Sequence, residues 1–221
     1  MQQTAIVFLG PSLDRKIARQ ILDADYRGPA ARGDIQRAVE DGATVIGLID
    51  GVFFQECSVA HREILLALKQ GVRVIGASSM GALRAAELDI LGMEGVGEIY
   101  RMYAEGVLVA DDEVALVFDP GTWLPLSEPL VNIRATLLRA ERDGIITGDA
   151  HRVLLEAARA RYFPDRTYDG MQQDARGLVD PDVLGRFSAW LEHGRVDLKR
   201  EDAIRALERI REILQEREIG G

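Results

Sequence analysis

The sequence predicts an α/β fold, with a Rossmann-like parallel sheet domain over residues 1–127 and a mostly helical region over residues 128–221. Three observations predict it. Continuous apolar runs stand at residues 4–10 (TAIVFLG), 43–50 (ATVIGLID) and 72–76 (VRVIG), and runs of this kind suit strands covered on both faces. Segments of helical periodicity separate them, which implies parallel pairing through right-handed crossovers. From Pro129 onward the patterning is almost wholly helical.

In chain order, the first strand is followed by a helical stretch, SLDRKIARQIL, opening at Ser12. GDIQRAVEDG and SVAHREILLALKQG follow as helices that each close on a glycine, suited to a left-handed cap. After VRVIG comes a helix through GALRAAEL, then a helix in VGEIYRMYAEG, an acidic turn at Asp111-Asp112-Glu113, a strand VALVF and a proline-punctuated loop, PGTWLPLSEP. Four helical patterns complete the chain: LVNIRATLLRAERDG, DAHRVLLEAARARYF, PDVLGRFSAWLEHG and DLKREDAIRALERIREIL. The break between domains is expected near Ser127.

The 221 residues are 47% apolar and 29% charged, the composition of a folded globular protein. A net charge of -9 opposes binding to a phosphate backbone, so nucleic acid is not an expected partner. The first apolar run has no basic segment before it and is too short for a signal peptide or a membrane span, so a cytoplasmic chain without a membrane partner is expected. The single cysteine, Cys57, excludes an internal disulfide and cannot build a thiolate zinc site alone. It reads as a helix-start or core residue.

In open sheets of this type, ligands bind beyond the carboxyl ends of the strands. Three such ends, Gly10-Pro11-Ser12, Asp50-Gly51-Val52-Phe53 and Gly76-Ala77-Ser78-Ser79, are expected to share one crevice, with Gly10, Asp50 and Ser79 lining it. Ala77-Ser78-Ser79-Met80-Gly81 fits the G-x-S-x-G pattern with alanine in the first place. A serine at a sharp strand-to-helix turn exposes its hydroxyl and aims the following N–H groups at a developing oxyanion. The same residues also suit a helix N-cap at Ser78 or Ser79, or an anion site at the helix start.

A serine nucleophile needs a base. His61 lies one helical turn from the Asp50 strand end, and Lys16 one turn after the first strand; His151 and His193 lie in the helical tail, and Lys69 and Lys199 read as surface charges. Asp50 suits either orientation of His61 or the capping of a helix start. Arg32 and Arg84 suit ion pairs that shape the crevice or grip an anion, with Arg84–Glu87 also a plausible pair at i, i+3. Consecutive acids at Asp111, Asp112 and Glu113 point in different directions, the habit of a solvated turn rather than a metal site. No metal and no cofactor is expected.

Taken together, VFLGPSL, GPAARGDI, LIDGVF, HREILLAL, GASSMGALRAAELDILGMEGVGEIY, DDEVALVF and PLSEPLVNIRATL resemble the TfuA family, over about Val7 to Leu138. The resemblance implies a partner of YcaO enzymes in thioamidation of a peptide backbone, where YcaO activates the amide oxygen with ATP. It implies delivery of sulfur from the C-terminal thiocarboxylate of a ThiS-type, ubiquitin-like carrier. Hydrolysis of that group would assign Ser79 as nucleophile, His61 or Lys16 as base and Asp50 as its support. The oxyanion and binding set would be Gly10, Gly51, Ser78, Met80, Gly81, Arg32 and Arg84. A non-catalytic module that docks YcaO and its peptide is the alternative. The family is similar to hydrolases that pair serine with lysine, and a lysine is expected where this chain has Arg62, which cannot serve as a base. A histidine is likewise expected near Asp119-Pro120-Gly121. The end Ile219-Gly220-Gly221 has the form of a carrier tail but reads as a frayed terminus.

Overall fold

The computed structural model describes residues 4–53 and 58–219. Cys57 and the Gly220-Gly221 end lie outside the described residues. The chain divides into two compact units, one of Met1–Val109 with Lys199–Gly221 and one of Ala110–Leu198.

The first unit is a five-stranded parallel sheet in the order β2-β1-β3-β4-β5, built from β1 (Ala5–Phe8), β2 (Asp25–Arg27), β3 (Val45–Leu48), β4 (Arg73–Ala77) and β5 (Glu94–Val96). Strands β1, β3 and β4 are the three apolar runs; the edge strands β2 and β5, three residues each, carry no such run. Because β2 lies on one side of β1 and β3 on the other, the order reverses beside β1, the place where open sheets of this kind bind ligands at the carboxyl ends of their strands.

Alternate residues of each strand enter two separate cores. Val7, Leu9, Val45, Ile49 and Ile75 face one layer, which holds α1 (Arg15–Ile21) and α10 (Leu198–Ile219), the latter through Ala203, Ala206, Leu207, Ile210 and Ile213. Ile6, Phe8, Ile46, Leu48 and Val74 face the other, beneath α2 (Asp34–Glu40), α3 (His61–Lys69) and α4 (Met80–Leu88). The central strands β1, β3 and β4 are apolar on both faces because both faces are covered, apart from the partly exposed Arg73 that opens β4. Helix α5 (Glu98–Ala104) follows β5.

The second unit holds α6 (Leu130–Arg142), α7 (Gly148–Ala160), α8 (Tyr168–Asp174) and α9 (Pro181–Gly194) around Ile133, Leu137, Leu154, Met171 and Phe187. Two expectations change here. The units do not divide near Ser127, and the last helix joins the sheet unit, because the apolar face of α10 covers one side of the sheet. VALVF is not a strand either: Phe118 and Pro125 make one isolated bridge, closed by Leu126 N–H to the Val117 carbonyl at 2.7 Å. Pro125 lacks the N–H that would extend a ladder, and Trp123 turns the chain at φ 63°. The acidic turn is held by arginines, Glu113 accepting both Arg134 Nε (2.8 Å) and Nη2 (2.7 Å) and Asp112 pairing with Arg166 at 2.9 Å. Among the described residues, no helix is long and apolar enough to cross a membrane.

Candidate functional site

Strand β4 ends at Ala77 and the chain reverses within three residues. Ser78 occupies φ 66°, and the Ser79 N–H donates to the Ala77 carbonyl at 2.7 Å, closing a γ-turn with a left-handed centre. This conformation is rare and strained for a residue with a Cβ. Two glycines let α4 start so close to the sheet: a Cβ on Gly81 would lie 1.7 Å from the Leu48 carbonyl oxygen, and one on Gly76 would lie 2.2 Å from that of Gly81. Ser79 is the N-cap residue of α4, but its side chain makes no capping hydrogen bond.

Asp50, just beyond β3, draws the strand ends together. Its Oδ2 accepts the N–H groups of Gly10 (2.9 Å) and Ser12 (3.1 Å), and its Oδ1 accepts the Ser12 hydroxyl (2.7 Å). Ser12 Oγ lies 2.9 Å from Ser78 Oγ, which in turn lies 2.8 Å from the Lys199 carbonyl oxygen in the first turn of α10. Ser12 gives its proton to Asp50, so the one proton of Ser78 serves either Ser12 or Lys199, not both. The result is a chain from Ser78 through Ser12 to Asp50, and it is enclosed: Ser78 is 0% exposed, Ser79 and Asp50 2%, and Ser12 4%.

The expected convergence of the three strand ends is present, but several residues expected with them are elsewhere or otherwise engaged. His61, the first residue of α3, places Nε2 2.7 Å from Glu87 Oε2, and Arg84 Nη1 lies 2.7 Å from the same oxygen. Both expected roles at the serine are therefore replaced by a surface cluster two turns along α4, where the Arg84 Nε also holds the Val59 carbonyl at 3.0 Å. Asp50 does not orient His61, because its oxygens are taken by Gly10 and Ser12. Lys16 is exposed on α1, and Arg32 is exposed in the loop leading into α2. The N–H groups of Gly10 and Gly81, expected at an oxyanion, donate to Asp50 and to the Ile49 carbonyl (3.3 Å). Gly51 instead makes room for Met80, whose Cγ would lie 2.8 Å from a Cβ there. The Met80 N–H, at the first position of α4, has no acceptor within its own helix.

Three residues of this neighbourhood escaped the sequence reading as site residues. Ser12 was visible as part of a strand end, though not as the link between two others. Lys199, read as a surface charge, is 2% exposed, and its carbonyl meets a serine 121 positions earlier. Asp202, one turn further along α10, is fully buried; it accepts the N–H groups of Glu98 (2.9 Å) and Ile99 (2.8 Å) at the start of α5, and Arg205 Nη1 at 2.9 Å. Burial pushes its carboxyl above the ordinary aspartate value, against the pull of these donors.

Fold and site together define a doubly wound α/β protein with a strained serine turn at the carboxyl edge of its sheet and a carboxylate one hydroxyl away. Residues 50–167 match the family model described as TfuA-like protein. That span is more than half of the chain, and the chain belongs to this family. No curated protein matches it. The matched span begins at Asp50 and includes Ser78 and Ser79, whereas Ser12, Lys199 and Asp202 lie outside it.

Proposed function

We propose that this chain is an accessory hydrolase of YcaO-dependent peptide thioamidation, releasing sulfide from the C-terminal thiocarboxylate of a ThiS-type carrier. The observation that carries the reading is the chain of hydrogen bonds from Ser78 through Ser12 to Asp50, because it offers a proton path away from a serine at a strained turn. Ser78, rather than its neighbour Ser79, is the nucleophile in this reading. Its Oγ bonds the thiocarboxylate carbon as the proton passes through Ser12 to Asp50, and as the C–S bond breaks that proton is returned to the departing sulfur. Hydrogen sulfide ion leaves and an ester of Ser78 is formed. Water then cleaves that ester, giving the carrier carboxylate and the free hydroxyl. The Met80 N–H, at the positive end of α4, would face the oxyanion. Neither His61 nor Lys16 has a part in this scheme.

A second reading, a docking module for YcaO and its peptide without covalent chemistry, is favoured by the burial of both serines. Incubation of the carrier thiocarboxylate with the purified chain, followed by intact mass, separates the two. Replacement of sulfur by oxygen in the carrier, lost in Ser78→Ala and kept in Ser79→Ala, is the expected result. Loss in Ser79→Ala alone moves the nucleophile by one residue, and no conversion by the parent chain leaves the docking module.

A further inference from the structure

We propose that the first turn of α10 is a cap that closes the serine turn, held shut by Asp202, and that Ser78 becomes accessible only when this turn lifts. As a device for regulating the site, it rests on the hydrolase reading; as a feature of the fold, it does not. Ser78 Oγ is spanned by the Lys199 carbonyl at 2.8 Å, and a carbonyl oxygen can take no proton from a nucleophile at neutral pH. With Ser78, Ser79, Ser12 and Asp50 all buried, no acyl group reaches the hydroxyl while Lys199 stays in place.

Asp202 is the latch. Its two oxygens accept the Glu98 and Ile99 N–H groups, the unsatisfied donors of the first turn of α5. A Cβ on Gly97, which sits at φ 98°, would lie 2.3 Å from the Asp202 carboxyl carbon, so glycine is what lets the latch seat. The turn can move without the rest of α10. Lys199 and Asp202 fall within the first five residues of α10, ahead of Ala203, Ala206, Leu207, Ile210 and Ile213, which bind the helix to the sheet. Helix ends open at far lower free energy than helix interiors.

The test reads exposure rather than catalysis. In a Cys57→Ser background, Ser78→Cys supplies a thiol whose reaction rate with an aromatic disulfide reagent reports access to position 78. In the otherwise parent chain the rate is expected to be at least about tenfold below that in Asp202→Ala, the change that loss of charged hydrogen bonds gives an opening equilibrium. Glu98→Pro removes one latch donor while keeping the carboxylate, and proline is tolerated at the first helical position, so a smaller acceleration is expected there. Equal rates in the parent and in whichever of these variants retain native circular dichroism overturn the cap. Acceleration without any sulfide release from the carrier leaves the cap standing and removes the hydrolase reading. Sulfide release by the parent chain at a rate that neither variant raises keeps the hydrolase and removes the cap as its regulator.

Discussion

Asp50 and Glu87 are two carboxylates of the same α/β unit, each bonded to groups from other segments, and they hold their partners by opposite means. Asp50 is buried and surrounded by donors without charge, two backbone N–H groups and a hydroxyl. Glu87 is more than a third exposed and pairs with His61 and Arg84. Water competes for every bond Glu87 makes, so each exposed pair is worth about 1 kcal/mol or less. At Asp50 no water replaces a lost partner, and the backbone donors of two strand ends depend on it. The proposed chemistry runs through the buried carboxylate, although the exposed one has the histidine.

Asp50→Ala should have the largest effect on stability, about 3–5 kcal/mol, because it leaves the Gly10 and Ser12 N–H groups without an acceptor inside the protein. Urea unfolding checks it, and a loss below about 1 kcal/mol would remove the distinction between the two carboxylates. Ser78→Ala should cost about 1–2 kcal/mol through its lost hydrogen bonds. Ser78→Gly relieves the positive φ as well, and should be up to about 1 kcal/mol more stable than Ser78→Ala after the added chain entropy of glycine. If the two are equal, the turn is unstrained.

A third carboxylate, Glu128 at the start of the helical bundle, tests partial burial with little compensation, its side chain being 31% exposed. Burial raises its pKa above the ordinary glutamate value; Asp197 adds to the rise, and Arg195, 3.8 Å away, opposes it. A raised folded-state pKa means stability that is full below the unfolded value of about 4.3 and lost as pH climbs through the folded value. Relative to the parent, Glu128→Gln should therefore gain stability between pH 4 and 7, read from urea midpoints at each pH. A constant difference across that range would mean that Glu128 titrates as it does in the unfolded chain.

The smallest effect is expected at the exposed cluster. His61→Ala should change stability by no more than about 0.5 kcal/mol, and carrier hydrolysis should be the same in His61→Ala and Lys16→Ala as in the parent at every pH from 5 to 9. A loss in the His61 variant alone would bring the exposed cluster into the chemistry and break the comparison at its centre.

The central strands were legible because burial on both faces calls for apolar residues at successive positions, a pattern that needs no knowledge of neighbours. Edge strands β2 and β5 were not, since three residues such as Asp25-Tyr26-Arg27 owe their extended form to pairing with β1 rather than to their own composition. The serine turn was legible as a place but not in its conformation: the pattern centres on Ser79, while the backbone puts its left-handed residue at Ser78. Composition does not distinguish two adjacent serines; the contacts of Gly76 and Gly81 with their surroundings do.

By itself, the sequence determined that β1, β3 and β4 form a parallel core with their carboxyl ends together, because hydrophobic periodicity and short crossovers are local properties. Only the tertiary structure decided what meets at those ends. His61 went to Glu87 and Lys199 to Ser78, pairings across 26 and 121 positions that depend on how whole helices seat on the sheet. The helix α10 is more weakly amphipathic than α6, α7 and α9 of the second unit, and nothing in its pattern says which apolar surface it will cover. The choice fell to the open face of the sheet, and with it the closing of the site.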